Sequence, residues 1–200
     1  MSLKIRTLFL AVAGILTSLT LGCTDAGTPV EATPEPAAAV ALPPASLDAA
    51  LASGNSDIIA RFRQRPQTTT GWAKAWIGPR GGRMDFLGFS VIVPAGAVDR
   101  TTMFSIQVPL DRTGTGRVMA EFGPHNVRFA VPVTVEFPFA NTSIEGSASP
   151  TVVWWTDAGW VEMGASVTPD GKKLRMSTPH FSTYGTTESN RGGSLLISGG

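Results

Sequence analysis

The sequence predicts an all-β fold, an antiparallel β-sandwich over residues 71–185, and three observations predict it. From Trp72 onward apolar and polar residues alternate with a period of two. Turn signals break that alternation at short intervals, at Gly81-Gly82, Pro94-Ala95-Gly96, Asp157-Ala158-Gly159 and Pro169-Asp170-Gly171. Composition agrees, since 22 glycines and 15 prolines in 200 residues favour turns over long helices. With 42% hydrophobic and 16% charged residues, the chain has room for one modest core.

The strands can be read individually. In MFSIQVPL, Phe104, Ile106, Val108 and Leu110 share one face, with Ser105, Gln107 and Pro109 on the other. In PVTVEFPF, Val133, Val135, Phe137 and Phe139 lie opposite Thr134 and Glu136, which predicts that they are buried together. FSVIVP sets Phe89, Val91 and Val93 against an apolar Ile92, the pattern of a strand covered on both sides. Trp154 and Trp155 face opposite ways on a hairpin closed by Asp157-Ala158-Gly159 and followed by Trp160. No internal repeat is visible.

Ahead of the sandwich the chain reads as a leader and a spacer. Residues 1–22 carry Lys4 and Arg6, an apolar run from Leu8 to Leu21, and then Gly22 before the single cysteine, Cys23. A basic start, a short apolar stretch and a small residue make a secretory signal. The run is too short to be a permanent membrane span. Thr20-Leu21-Gly22-Cys23 resembles the processing box of bacterial lipoproteins, with its first two residues in reversed order, so Cys23 is expected to carry a lipid anchor. Thr24 after it, where aspartate would favour the inner membrane, points to the outer membrane of a Gram-negative envelope. Residues 23–70 are rich in proline and alanine and read as a linker, with a short helical pattern opening at Ser46 and another turn near Asp57. Residues 186–200 read as a flexible Gly/Ser-rich tail.

GGRMDFLGFSVIVPAGAV, residues 81–98, resembles the signature of the ZU-five domain, the β-sandwich shared by zonula-occludens proteins, UNC-five netrin receptors and ankyrins. That signature is a glycine pair, a short strand, another glycine, a strand, and a closing proline, any residue, glycine and alanine. FGPHNVRFAVPVTVEFPF is similar to the family's middle strands, and HFSTY to the closing strand of many bacterial members. The resemblance implies a scaffold for protein interaction or spacing with no common active site. It also implies one chemical alternative. In self-cleaving relatives a His-Phe-Ser tripeptide is cut before the serine, and His180-Phe181-Ser182 matches it. Ser182 Oγ would attack the Phe181 carbonyl with His180 taking its proton, the amide nitrogen of Ser182 would leave, and water would hydrolyse the resulting ester. In those relatives a second β-domain follows, whereas here only the tail does. The plainer expectation is an uncut closing strand with Phe181 inward and His180 and Ser182 on the other face.

Other chemistry finds little support in the residues. Two histidines and one cysteine fall short of a zinc set, no Gly-rich loop opens a helix, and no cofactor is expected. Only His125 and His180 could serve a serine nucleophile as base, and no Gly-x-Ser-x-Gly elbow exists, so no conventional enzymatic activity is expected. The net charge of +1 and the absence of a basic stripe exclude nucleic acid as a partner. Trp154, Trp155 and Trp160 form the candidate binding surface, because exposed indoles stack on sugars or anchor proteins. The expectation is therefore a lipid-anchored envelope protein whose sandwich binds an unidentified protein or envelope polymer. Self-processing between Phe181 and Ser182 and carbohydrate or cell-wall binding are the alternatives.

Overall fold

Two antiparallel sheets pack face to face in a computed structural model of the chain, which describes residues 46–52, 55–110 and 116–189. The strands, in chain order, are β1 (Trp72–Ile77), β2 (Gly82–Phe86), β3 (Phe89–Val93), β4 (Thr102–Gln107), β5 (Met119–Gly123) and β6 (Arg128–Pro138). They continue with β7 (Pro150–Thr156), β8 (Gly159–Glu162), β9 (Ser166–Val167), β10 (Lys173–His180) and β11 (Thr183–Glu188). One sheet has the order β1-β4-β5-β11-β7-β8 and the other β2-β3-β6-β10-β9. The predicted sandwich is the observed fold.

The core lies between the sheets, and the alternating residues fill it. Phe89, Val91 and Val93 of β3, Phe104 and Ile106 of β4, and Val133, Val135 and Phe137 of β6 are all buried there. Leu110 is the exception to its predicted face. Strand β4 ends at Gln107, so the alternation no longer holds, and Leu110 is 51% exposed. Leu87 and Gly88 close the β2–β3 hairpin with φ of 50° and 88°. Positive φ at both positions is what a two-residue hairpin turn requires.

The boundary at residue 71 is corrected by the structure. Helix α1 (Leu47–Ala52) and a 3-10 turn (Asn55–Ile58) lie on the outer face of the six-stranded sheet. Leu47, Ala50 and Ile59 cover Met119, Val153, Trp155 and Trp160 there. Such short helices need a surface to pack on, and the linker reading missed the surface because Trp155 and Trp160 lie about a hundred residues downstream. The strand-like stretch after the turn is tied in by its backbone. Ala60 N–H donates to Thr186 O (2.7 Å), and Ala60 O accepts from Val118 N–H (2.7 Å). The C-terminal boundary moves as well, because β11 continues through Glu188. The leader, Cys23 and the end of the tail lie outside the described residues.

Candidate functional site

Three places carry the candidate residues: the corner between β10 and β11, the tryptophan hairpin, and edge strand β1. TPHFSTYG is two strands joined at a corner, where a single closing strand was expected. Strand β10 ends at His180 in the five-stranded sheet, and β11 begins at Thr183 in the other. Pro179 lacks an N–H, and the β10–β6 register shifts between Thr178 and His180, so the chain leaves its sheet at that point. Phe181 plugs the gap as expected, with its ring centroid 4.7 Å from Phe129 and 5.8 Å from Phe104.

The corner is held by hydroxyls. Tyr184 Oη donates to the His180 carbonyl at 2.9 Å, and Thr178 Oγ1 lies 2.7 Å from the same oxygen and 3.1 Å from Tyr184 Oη, with one proton to give to either. This is a tyrosine corner of the kind found in immunoglobulin-type sandwiches. Burial pushes the Tyr184 phenol up to about 12, against the hydrogen bond with Thr178 that lowers it. Ser182 is buried, and its carbonyl accepts from Phe122 N–H at 3.0 Å. The His180 ring lies 5.2 Å from the Trp154 ring, and among the described residues no hydrogen bond joins it to Ser182 Oγ. The left-handed non-glycine residues among those described are Leu87, Asn126 and Asn141, none of them within residues 178–184. His180, Phe181 and Ser182 are thus brought together in sequence and space, but the base and the nucleophile are not paired.

The tryptophan hairpin offers no open platform. Trp154 points inward beside Tyr184, its register partner, and packs on the main core. Trp155 and Trp160 face the other way, as alternation requires, but α1 covers them and they are only 8% and 4% exposed. Their rings pack 5.1 Å apart. Of the three predicted surface residues, Trp154 therefore packs on the main core, and Trp155 and Trp160 belong to a second, smaller one. Glu121 fixes its cover: one carboxylate oxygen accepts from Leu47 N–H (2.9 Å), and the other meets His125 Nε2 (2.8 Å). The His125 hydrogen bond, then the one from Leu47, hold the Glu121 carboxyl below its usual range. Gly185 supplies the seat on β11, since a Cβ there would come within 2.8 Å of Ile59 Cδ1.

The exposed tryptophans are elsewhere. On β1, Trp72, Lys74 and Trp76 point to solvent while Ala73, Ala75 and Ile77 point inward. Trp72 is 52% and Trp76 71% exposed, and Met103 of β4 lies opposite Trp76 in register. Lys74 Nζ sits 4.9 Å from the Trp72 ring centroid. A groove of about 920 Å3 runs between α1 and the Trp72 end, lined by Leu47, Asp48, Thr70, Trp72 and Gln107. A second, of about 490 Å3, opens at the other end beside Trp76, Arg80 and Thr101. This surface had a signal in the sequence, the alternation in WAKAWI. Hydrophobicity alone assigns the large indoles to the core and the alanines to solvent, and the structure reverses that assignment.

The outer face of the other sheet carries a charged row instead. Asp85, Ser90, Glu136 and Arg175 stand in register on four consecutive strands. Arg83 and Lys173 reach into the same row, with Arg83 Nη2 3.2 Å and Lys173 Nζ 3.5 Å from Glu136 Oε2. Burial raises the Glu136 carboxyl, but the Arg175 hydrogen bond and the Lys173 and Arg83 charges leave it below its usual range. The row is a closed network of paired groups. Among the described residues no group of three or more His, Cys, Asp and Glu is placed to hold a metal ion. No family model matches the chain, and no curated protein matches it either.

Proposed function

We propose that the chain is an exported, non-catalytic binding module of the cell envelope, a ZU-five-like sandwich tethered through Cys23 that engages its partner with the β1 stripe. One observation carries the binding part: two indoles more than half exposed on an edge strand, in a domain whose other aromatic side chains are mostly buried. Isolated exposed apolar residues need no explanation, but an aligned pair of tryptophans matches the residue type that dominates binding hot spots. The β2–β3 hairpin within the signature of residues 81–98 supports the family reading. The basic start, apolar run and cysteine support the tether.

The test uses the chain with and without its anchor. The wild type should enter the detergent phase on phase separation, and Cys23→Ser should not, while still being exported. The Cys23→Ser chain should then sediment with isolated envelope fragments, and adding Trp72→Ala and Trp76→Ala should release it. Detergent partition by the serine chain would rule out the lipid anchor. Unchanged sedimentation of the triple variant would rule out the stripe.

A further inference from the structure

We infer that the β1 stripe binds an anionic polysaccharide, with sugar rings stacked on Trp72 and Trp76 and acidic groups directed to Lys74 and Arg80. The inference rests on the binding-module reading above and adds the chemistry of the partner.

Spacing and alternation come first. Trp72 and Trp76 share a face and lie four residues apart, about 13 Å along a strand at roughly 3.3 Å per residue. Between the indoles the surface is polar. Lys74 stands midway, with Ser105 opposite it and Gln107 opposite Trp72. A protein partner favours a continuous apolar patch whose centre is fully desolvated behind a polar rim. Here aromatic and hydrogen-bonding positions alternate along a line. A sugar chain has the matching character, with apolar C–H faces for the indoles and hydroxyl or carboxyl edges for lysine, glutamine and serine. The grooves at both ends extend that line beyond β1, which suits a polymer better than a small ligand.

Charge then selects the class of polymer. Neither β1 nor β4 contains an acidic residue. Lys74 and Arg80 are exposed, and no ion pair with a described carboxylate is formed by either. Both lie on the stripe or at its Trp76 end. Asp48 and Arg117 both line the groove at the Trp72 end, so the acidic groups of the ligand are drawn to Lys74 over the Trp72 ring and to Arg80 beside Trp76.

A second copy of the chain is the rival occupant, since β1 is an edge strand and edges invite pairing. The segment Trp72-Ala73-Lys74-Ala75-Trp76 reads the same in both directions. A symmetric antiparallel pair would set Trp72 against Trp76 and Lys74 directly against Lys74. Like charges facing each other across strands destabilise the pair, so Lys74 guards the edge.

The experiment titrates the purified full chain at low salt with three probes: an oligogalacturonate, the same oligomer fully methyl-esterified, and polyglutamate. Calorimetry should show the oligogalacturonate binding at least about tenfold more tightly than either of the others. Trp72→Ala and Trp76→Ala should each weaken it by about tenfold or more. Lys74→Gln should reduce the difference between acid and ester, and Lys74→Gln with Arg80→Gln should abolish it. Equal binding of acid and ester, binding of polyglutamate as tight as the acid, or no binding of the oligogalacturonate overturns the proposal. So does a dimer in sedimentation that Trp76→Ala dissociates, because the stripe is then covered by a second copy. If these probes fail while the envelope sedimentation above is still lost on removing the indoles, the module reading stands and the glycan assignment falls.

Discussion

Phe137 and Tyr184 show how much single side chains decide in this core. Phe137 is fully buried, with ring centroids of Phe122 at 5.7 Å and Phe89 at 5.9 Å. Phe137→Ala should lower unfolding stability by about 3–5 kcal/mol in a urea titration, the cost of an emptied aromatic site. A loss within about 0.5 kcal/mol would place the residue on solvent. Tyr184 is the only tyrosine, so its ionisation can be followed by absorbance without interference from others. Burial raises its folded pKa from 10.0 to about 12. The folded chain therefore holds this proton when the unfolded chain has lost it. The associated stability is complete below the unfolded value and drains away as pH rises through that window. Phenolate absorbance should appear near the upper end, or together with unfolding. Ionisation near 10 in a chain still folded by far-ultraviolet dichroism would contradict the buried corner.

At the scale of elements, periodicity within a strand was legible and the covering of its outer face was not. The runs around Phe104, Val133 and Phe89 could be assigned to a face because each buries one side against the same core. Alternation set Trp154 and Trp155 on opposite sides of the sheet, but whether the outer side is wet depends on α1, far away in sequence. In WAKAWI the inner face is hard to read from the residues for a related reason. At an edge strand the inner face needs only small residues to close the sandwich, and hydrophobicity cannot say which half of an alternating apolar run lies inside. The docking of α1 has its own test at Gly185. A Cβ there would meet Ile59 at 2.8 Å, so Gly185→Val forces the segment off its seat or strains it. Overpacking of this kind costs about 1–3 kcal/mol. The fluorescence of Trp155 and Trp160 should shift to the red as their cover lifts. A stable variant with unchanged emission would mean that the segment does not depend on this contact.

For the molecule as a whole, the corner decides whether the polypeptide stays in one piece. Residue types alone made His180-Phe181-Ser182 a cleavage candidate, and their packing favours the uncut chain. An N-to-O shift needs a base that takes the Ser182 proton and a peptide bond already strained toward the ester. The His180 ring lies against Trp154, and the corner carries no left-handed residue. Two hydroxyls hold the His180 carbonyl, and the Phe181 ring is clasped by Phe104, Phe122 and Phe129, so the backbone has little freedom to bring Oγ over the Phe181 carbonyl. A cut there would also be silent under native conditions. Strand β11 lies between β5 and β7 in the middle of its sheet, and its ladder would hold the released piece in place. Gel filtration is therefore uninformative, and the measurement must be an intact mass under denaturing conditions. Protein stored at neutral pH should give one uncut species, as should Ser182→Ala run beside it. A fragment beginning at Ser182 in the wild type and missing from the alanine variant would show that the sandwich strains its own corner enough to break it.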